Sequence, residues 1–427
     1  MKKTTITLSM FFWTIMLSGQ THGLHFYLQQ AVENSPLINK NTNTNKLLKL
    51  NKQQMEAILK KPLVSVEAGF LFAPIISHDN QSGKFQWVSE GADNYWGYDL
   101  ATTDGGRYQA YFKVEQPLFK GSVLKAYSQK NTVSRQLNNN KMALTKHEIE
   151  QLVNYQYILC LRAKQQSAVS NRLVNDMEEQ LKILKKLVEH GIYKQTDLMI
   201  LQIETENYKL EYQNFYTQYL NNLADLYLVC GMNEPLPAAI KDTSFVIRPD
   251  TIQNSFFLKK YELDSINISA NRLMFEQKYK PQVSLFATAG MNSVYLPAIN
   301  RFGFSTGINF TWNIFDGNQK QIRHNKSLVE LQTLQFEKSN FIKTNQINKR
   351  KYLNRINAVN KKIQIVENQL LEYKKLWKLY SYELSQAQVS IMDFKNLIRD
   401  IAAKQQENLK LHMEEQIVIN SYNYWNY

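Results

Sequence analysis

The chain has few of the residues that build small disulfide-bonded or metal-centred folds. Its 427 residues include only two cysteines, Cys160 and Cys230, which is too few for a disulfide framework. One bridge between them is conceivable, but two buried free thiols are the better interpretation. The seven histidines form no cluster with ligand spacing, and the helical spacing of His22 and His25 is accidental. We therefore predict no metal site and no cofactor.

Motifs for catalysis are also missing. The sequence contains no P-loop, no nucleophile elbow and no pair of carboxylates in a convincing context. Beyond the first twenty residues no apolar run reaches the roughly 20 residues that a transmembrane helix needs. The mean hydropathy of −0.43 agrees with this reading. We therefore predict that the protein is not an enzyme, and we look for its function in its architecture.

Residues 1–23 have the pattern of a secretory signal peptide. Lys2 and Lys3 form a short positive region, an apolar core runs from Ile6 to Leu17, and small or polar residues follow. This order predicts export from the cytoplasm. The alternative is an uncleaved membrane anchor, although the apolar core is too short to span a bilayer comfortably.

The chain is basic, with 51 Lys and Arg against 37 Asp and Glu, which gives a net charge of +14. The basic residues are spread along the whole chain and form no single basic stripe, which argues against nucleic acid, as the export signal also does. We expect no nucleic-acid partner. We interpret the charge as solvated helix surface that faces anionic lipid or an acidic partner.

Proline and glycine are absent over two long stretches, 122–190 and 318–427. Residues at spacings of three and four mark one helix face in and after the first stretch, namely Leu173, Met177, Leu181, Leu184 and Val188, and then Leu198, Leu201, Thr205, Tyr208, Tyr212, Phe215 and Tyr219. The second stretch keeps the heptad rhythm of a coiled coil over Ile363, Val366, Leu370, Tyr373, Trp377, Tyr380 and Leu384. A helix of about 70 residues, as the first stretch predicts, is roughly 105 Å long at 1.5 Å per residue. Such a length predicts a tubular or fibrous protein.

Two pairs of segments break the helical pattern and alternate with a period of two. In 302–314 every even position except Thr306 is strongly apolar, and every odd position is small or polar. This length suffices for a membrane-crossing strand, which needs about 9–11 residues. Its predicted partner is 283–291, across a turn with Pro297 and Asn300, and the earlier pair is 64–72 with 108–114. A soluble amphipathic hairpin is the alternative, but the aromatic ends favour lipid.

The two halves of the chain repeat each other. Lys61-Pro62-Leu63-Val64 opens the first hairpin and Lys280-Pro281-Gln282-Val283 opens the second, and 191–198 aligns with 387–394. Phe119 and Asp197 are 78 residues apart, as are Phe315 and Asp393, which indicates an internal duplication. After the signal peptide (1–23), the first repeat (24–240) is predicted to hold a short helix, a hairpin (62–118), a long helix (122–190) and a return helix (194–230). The second repeat (241–427) is predicted to hold a short helix, a hairpin (281–315), a long helix (318–386) and a return helix (390–427).

Four strands in one chain cannot close into a barrel, because bacterial barrels start at eight strands. Open strand edges in lipid leave backbone groups unpaired, at several kcal/mol each. The chain must therefore oligomerise, so that its long helices stack into a hollow cylinder. The predicted fold class is mainly α with a small β part, in which antiparallel coiled-coil helices form an α-barrel and four transmembrane strands contribute to a shared β-barrel.

This layout resembles that of the TolC-like outer-membrane efflux proteins over nearly the whole mature chain. The resemblance rests on the duplication, on the hairpin exits PLFKG (117–121) and NIFDG (313–317), on the turns near Asp197 and Asp393, and on LYLVCGMNEPLP at 226–237. It implies a homotrimer with a twelve-stranded barrel and a twelve-helix tunnel in the outer membrane, with a large periplasmic part. It also implies partnership with a periplasmic adaptor and an inner-membrane pump, and a role as the exit channel for drugs, toxins or proteins.

The resemblance further implies roles for single residues. Candidates for the pore constriction at the periplasmic tip are Asp393, Asp197 and Asn396. Candidates for the tip turns and the adaptor contact are Gly191, Lys194, Ala387 and Ser390. The junction of barrel and tunnel is expected to hold Pro117, Phe119, Gly121, Phe315 and Gly317.

Three carboxylates around one trimer axis would favour cations. The alternative is that Asp197 and Asp393 cap the returning helices, and both roles are compatible. In one member of the family a second Asp follows the first by three residues and an Arg precedes it by four. This chain has Asn396 and Val389 there, so it departs from a double acidic ring and from the family's gating salt bridges.

The long segment 73–107 contains Trp87, Tyr95, Trp96 and Tyr98 and is expected to be an outward-facing loop. The main rival interpretation of the chain is a periplasmic adaptor or structural protein with a coiled-coil hairpin and no channel. An adaptor needs β-rich soluble domains around a single hairpin, whereas here the hairpin motif occurs twice. The patterns fit both drug efflux and type I secretion, since the pump decides the cargo.

Overall fold

The computed structural model of the chain describes residues 22–72, 75–77, 84–86, 95–96, 106–233, 239–249, 255–293 and 302–427. The predicted signal peptide lies outside these residues except for its last two positions. The predicted turn with Pro297 and Asn300 lies outside them as well, as do Trp87 and Tyr98.

Long helices account for most of the described chain. In chain order the elements are α1 (Leu24–Glu33), α2 (Pro36–Lys60), β1 (Leu63–Phe72), β2 (Ile75–Ser77), β3 (Lys84–Gln86), β4 (Tyr95–Trp96), β5 (Gly106–Leu118), α3 (Gly121–Glu189), α4 (Gln195–Cys230), α5 (Phe256–Glu276), a 3₁₀ turn (Gln277–Tyr279), β6 (Gln282–Ser293), β7 (Phe302–Thr311), α6 (Gln319–Ser385) and α7 (Ile391–Trp425). The four longest helices begin and end within two residues of the segments expected from the sequence. No helix in the described part of the chain is both long and apolar enough to cross a membrane.

The chain divides into two compact units that do not follow the sequence repeats. One unit is Met1–Asn41, Asn140–Lys259 and Lys338–Tyr427, and the other is Thr42–Asn139 and Lys260–Glu337. Each unit takes segments from both halves of the chain. The predicted boundary at residue 240 separates the two predicted repeats and does not separate the two compact units.

The second unit contains an antiparallel four-stranded sheet in the order β1-β5-β6-β7. The strands within each predicted hairpin pair with each other, for example Val66 with Phe112 and Ala289 with Phe304. The two hairpins are also joined to each other, because β5 pairs with β6 from Tyr108 opposite Ser293 to Leu118 opposite Val283. The sequence predicted the hairpins but did not predict this junction.

Strand β7 ends earlier than the alternation predicted. Its last residue is Thr311, opposite Gln282, whereas the pattern continues to Ile314. The next residue of the partner strand is Pro281, which has no N–H to donate. The Trp312 indole instead donates to the carbonyl of Tyr279 (3.1 Å), and the Asn313 amide donates to that of Lys278 (3.0 Å). The chain therefore leaves the sheet at this point.

The segment 73–107 is not a loop throughout, which corrects that prediction. It contains β2, β3 and β4, which form a separate three-stranded sheet in the order β3-β2-β4. The sequences Ile75-Ile76 and Tyr95-Trp96 supply the β-branched and aromatic residues that favour strands. The alternation test missed them because each run is too short to establish a period.

In the first unit the predicted helix faces form buried clusters. The cluster nearest the turns contains Leu173, Met177 and Leu184 of α3, Leu198 and Leu201 of α4, and Leu384, Phe394 and Ile398 of α6 and α7. Earlier in α6, farther from the turn, Val359, Ile363 and Val366 pack against Leu411 of α7. Helices α3 and α7 meet through amide pairs, with Gln166 donating to Gln406 (2.8 Å) and Asn154 donating to Asn420 (3.1 Å). These polar pairs favour one register between the two helices.

Both cysteines are free and buried, as predicted. Cys160 of α3 and Cys230 of α4 belong to one cluster with Tyr27, Tyr157 and Leu226. Burial raises the pKa of each thiol to about 12, because the apolar surroundings disfavour the thiolate. Neither thiol is therefore activated as a nucleophile.

Candidate functional site

The two helical turns of the first unit have the same backbone design. After α3, the N–H groups of Gly191 and Ile192 bond the carbonyls of Val188 and Leu187, each at 2.9 Å. After α6, Ala387 and Gln388 do the same with Leu384 and Glu383, at 3.1 and 2.8 Å. Gly191 and Ala387 both have positive φ, at 72° and 56°. Both helices therefore end in the same left-handed motif, at the two positions that the repeat aligns.

Asp197 lies in the first turn of α4 and is half-buried. Its carboxylate accepts a hydrogen bond from the backbone N–H of Lys194 (3.0 Å). Lys194 is the N-cap residue, but its ammonium group has no lone pair and caps nothing. Asp197 thus performs half of a capping box, and a negative charge in a first helical turn is stabilising.

Asp393 is the matching residue in α7, but its side chain is differently engaged. The N-cap is Ser390, whose hydroxyl accepts from the N–H of Met392 (3.2 Å). The Asp393 carboxylate is exposed and forms no hydrogen bond or ion pair with another described residue. The capping alternative therefore fits Asp197 and Ser390, and it leaves Asp393 available for another role.

The other predicted tip residues also lie at these turns. The Asn396 amide oxygen accepts from the guanidinium of Arg399 (3.3 Å). The family resemblance leads one to expect an Arg at position 389, but the residue there is Val389, which is buried. Its carbonyl accepts a hydrogen bond from the Tyr193 hydroxyl (2.6 Å). This last bond joins the α3–α4 turn to the α6–α7 turn. The sequence analysis missed it, since no local pattern links residues 196 positions apart.

The residues predicted at the junction lie where strands of the second unit pass into helices. Pro117 pairs with Ser284 near the end of β5, and Gly121 begins α3. Phe119 and Phe315 are 86% and 81% exposed. Phe119 and Gly317 have positive φ, at 57° and 70°. Each turn from strand to helix is therefore made within three residues of a strongly exposed aromatic ring.

Asp316 organises the second junction and was not singled out from the sequence. Its carboxylate accepts from the N–H of Gln319 (3.1 Å), which caps α6, and forms an ion pair with Lys278 (3.2 Å). The Tyr279 hydroxyl also donates to it. The Tyr279 hydrogen bond, followed by Lys278, holds the pKa of Asp316 below its usual range. The sequence signal that could have identified Asp316 as a helix cap is the Asp-Gly pair just before α6.

One face of the four-stranded sheet is apolar and exposed. Phe304 is 87% exposed, and it shares this face with Val64, Val66, Phe70, Phe112, Leu285, Met291, Phe302, Ile308 and Phe310. The pairing of Val66 with Phe112, Phe112 with Ala289, and Ala289 with Phe304 aligns these side chains across all four strands. A contiguous apolar face of this kind is unusual on a protein surrounded by water.

The opposite face of the sheet is polar. Lys113 forms ion pairs with Glu67 (3.3 Å) and Glu115 (3.5 Å), and the Tyr111 hydroxyl donates to Glu67 (2.8 Å). Thr288 and Ser305 share a hydrogen bond of 2.6 Å. Strands β1 and β7 each have one partner in this sheet and one open edge. In the described part of the chain no group of three or more His, Cys, Asp or Glu could hold a metal ion.

Comparison with known proteins found similarity in structure only. No family model matches the sequence, and no curated protein matches it. Solved structures that match 94% of the chain include CusC, with a TM-score of 0.69 and 13% identity over 91% of that chain. The CmeC outer membrane channel of Campylobacter jejuni matches at 0.66 and 11% over 85%, and the open-state MtrE outer membrane channel of Neisseria gonorrhoeae at 0.68 and 12% over 88%.

These likenesses cover 94% of this chain and between 85% and 91% of the three others. Identities of 13% or less carry information about the fold alone. The resemblance predicted from the duplicated sequence is confirmed at that level, and the chain has the fold of the TolC-like outer-membrane channels.

Proposed function

We propose that this protein is the outer-membrane exit channel of a tripartite efflux or type I secretion system. The observation that carries the proposal is the four-stranded sheet, with an exposed apolar face, a polar face and two open edges. Lipid is the solvent that suits the apolar face, and a water-filled lumen suits the ion pairs of the other. Similar structures such as CmeC and MtrE are outer membrane channels.

The open edges of β1 and β7 support a homotrimer. Each edge carries unpaired backbone groups, which cost several kcal/mol apiece in lipid. Pairing β1 of one copy with β7 of the next removes every edge. Three copies supply twelve strands, which exceeds the eight that the smallest bacterial barrels need.

The partners of the proposed channel are a periplasmic adaptor and an inner-membrane pump. The tip residues Gly191, Lys194, Ala387 and Ser390 are all exposed and suit a protein contact. The coiled-coil clusters beneath them hold the turns on a rigid base. The alternative, a periplasmic adaptor or structural protein without a channel, leaves the apolar face of the sheet without an occupant.

Asp393 is the favoured residue for the constriction. Its carboxylate is exposed and has no partner among the described residues, so three copies around an axis would present three free negative charges. Asp197 is held by the N–H of Lys194, and Asn396 is neutral and occupied by Arg399. We therefore assign cation selection to Asp393 and helix capping to Asp197.

Single-channel conductance of the purified protein in a planar bilayer tests the proposal. We expect discrete, cation-selective steps at neutral pH that decrease in acid as carboxylates protonate. Asp393→Asn should reduce the preference for cations, whereas Asp197→Asn should leave selectivity unchanged and lower thermal stability. The Asp197 variant is the matched control, because it removes the same charge from the equivalent turn.

Two results would contradict the proposal. A detergent-free, soluble monomer would exclude a channel and favour the adaptor alternative. Membrane-inserted oligomers whose selectivity is equal in the wild type and the Asp393→Asn variant would retain the channel and remove Asp393 from its constriction.

A further inference from the structure

Six lysines lie at one edge of the four-stranded sheet. The strands meet this edge where Leu63 and Gln282 begin β1 and β6 and where Leu118 and Thr311 end β5 and β7. The helices α2, α3, α5 and α6 begin or end within eight residues of these strand ends. We call the following lysines the basic collar: Lys60, Lys61, Lys120, Lys278, Lys280 and Lys320.

The basic collar has an excess of positive charge that the protein does not neutralise. Among its acidic neighbours, Asp316 is engaged by Lys278 and Tyr279, Glu115 by Lys113 and Ser284, and Glu276 by Arg272, while Glu56 lies one helical turn before Lys60. Lys60, Lys61 and Lys280 are exposed and form no ion pair with any residue that the structure describes. The ammonium of Lys120 donates to a neutral group, the Gln282 amide oxygen (3.0 Å), and forms no ion pair within the described ranges. Like charges so placed repel one another unless an anion lies between them.

Exposed apolar and aromatic side chains accompany these lysines. Phe119, Ile314 and Phe315 are each at least 80% exposed at the same edge. The Trp312 indole is half exposed, and its N–H bonds the carbonyl of Tyr279. The Lys278 ammonium lies 4.1 Å from the Phe275 ring centroid, and the Lys320 ammonium lies 5.8 Å from that of Tyr279. Aromatic rings beside lysines are typical of protein at the headgroup level of a bilayer.

We propose that the basic collar binds the phosphate headgroups of anionic phospholipids, such as phosphatidylglycerol, in the leaflet nearest the helices. The lysine ammonium groups bind the phosphates, while Phe119, Phe315 and Trp312 contact the start of the acyl chains. The inference rests on the proposed function, which places the apolar sheet face in lipid and the helices in the periplasm. It adds a lipid preference to that function, with named residues.

An acidic protein is the other ligand that such charge would attract, but the surroundings favour lipid. A protein contact needs a surface that is complementary in shape, whereas the collar continues directly into the apolar sheet face. Val64 and Phe310 lie one residue inside the ends of β1 and β7 at this edge, and the side chain of each is more than 60% exposed. A molecule with an anionic head and an apolar tail fits both parts together.

Trp312 provides a probe for the test. The full chain is reconstituted into vesicles of phosphatidylcholine alone or mixed with an equal amount of phosphatidylglycerol. Either lipid carries bromine near the headgroup end of its acyl chains, so that it quenches nearby tryptophan fluorescence. Quenching is measured for the wild type and for Trp312→Phe, and the difference between the two reports lipid next to Trp312 at the collar. Insertion into neutral vesicles is measured first, by protection of the sheet from protease.

We expect brominated phosphatidylglycerol to associate with the collar at least about threefold more strongly than brominated phosphatidylcholine at low salt. The triple variant Lys60→Gln/Lys61→Gln/Lys280→Gln should reduce this ratio to about one. The matched control Lys343→Gln/Lys351→Gln/Lys361→Gln removes three exposed lysines from α6 and should retain the ratio. High salt should weaken the preference in the wild type and control alike.

Insertion without any preference for phosphatidylglycerol would overturn this inference and leave the channel proposal standing. So would a preference that persists in the triple variant, because the charge would then lie elsewhere. Failure to insert into either kind of vesicle would overturn the proposed function together with the lipid site.

Discussion

Two residues at the helical turns have the same backbone conformation but different side chains. Gly191 and Ala387 occupy equivalent positions of the repeat, and both adopt the left-handed conformation. Glycine enters this region freely, whereas a residue with a Cβ pays roughly 1–2 kcal/mol because the Cβ approaches the following carbonyl. Ala387 is therefore a strained residue at a turn whose hydrogen bonds fix its conformation.

We predict that Ala387→Gly stabilises the protein and that Gly191→Ala destabilises it. The first change relieves the contact of the Cβ and should raise the free energy of unfolding by roughly 0.5–1 kcal/mol, while the second introduces the contact at similar cost. Apart from Gly191 itself and its two chain neighbours, no described residue has an atom within 4 Å of the Cβ that Gly191 lacks, so backbone conformation alone is tested there. Denaturant titration measures both variants, and shifts of the same sign would contradict the explanation.

A second residue-level feature is the ionic cluster around Glu150 of α3. The guanidinium of Arg248 donates to its carboxylate, and the His147 ring lies 3.5 Å from it. The His147 ring also stacks on Tyr427 near the C-terminus, with centroids 3.7 Å apart. The nearby His147 ring, followed by the Arg248 guanidinium, lowers the pKa of Glu150 from 4.5 to about 2. The ionised carboxylate thus stabilises the fold.

We predict that Glu150→Gln destabilises the protein by roughly 3 kcal/mol at neutral pH, because lowering a pKa from 4.5 to about 2 stabilises the ionised carboxylate by about 1.4 kcal/mol per pH unit. The folded pKa lies below the unfolded one, so this contribution is complete above about pH 4.5 and is lost as the pH falls toward 2. At pH 3 less than about half of the cost should remain. Glu148→Gln is the control, because Glu148 is exposed on the same helix without a described partner. An equal cost of Glu150→Gln at pH 3 and pH 7 would contradict the assignment.

At the scale of elements, the pairing of β5 with β6 makes two hairpins into one sheet. A glycine enables the close approach of these strands. A Cβ at Gly290 would lie 2.3 Å from the Ala110 carbonyl and 2.4 Å from the Tyr111 Cα. Both contacts are with backbone, which cannot move away without opening the ladder. Gly303, directly opposite Gly290 on β7, has open space where its Cβ would be.

We predict that Gly290→Ala separates β5 from β6 and that Gly303→Ala is tolerated. The first variant should lose the membrane-inserted oligomer, measured as the fraction that floats with vesicles and resists protease. The second adds the same methyl group to the paired residue and should assemble like the wild type. Normal assembly of Gly290→Ala would show that the β5–β6 spacing is wider than the structure describes.

The elements that the sequence predicted are those with a local period. The alternation of 302–314 and the heptads of 363–384 identify a strand and a helix face because each pattern repeats over short distances. The β5–β6 pairing joins Phe112 to Ala289, which no local pattern connects. The Tyr193–Val389 bond between the tip turns was missed for the same reason. The position of Asp393 was predicted from the repeat, but its freedom from capping required the geometry of Ser390.

At the scale of the whole molecule, duplication and packing follow different divisions of the chain. Each compact unit contains segments of both predicted repeats, so neither compact unit coincides with one repeat. The sheet illustrates this directly, because two of its strands come from each repeat. Its remaining open edges and its exposed apolar face are features that one copy in water cannot satisfy. In the proposed channel, the neighbouring copies pair with the open edges and lipid covers the apolar face.

The final prediction tests which face of the sheet meets lipid in that assembly. Ile308 lies on the apolar face and is 67% exposed, whereas its neighbour Asn309 lies on the polar face. Ile308→Lys should place three charges in the hydrocarbon of a trimer, at roughly 2–4 kcal/mol each near mid-depth, and should abolish stable insertion. Asn309→Lys adds the same charges to the lumen and should insert normally while changing conductance. Vesicle flotation and bilayer conductance of the two variants distinguish the faces. The opposite outcome, with Ile308→Lys inserted and Asn309→Lys excluded, would mean that the apolar side chains face inward and that the proposed channel is wrong.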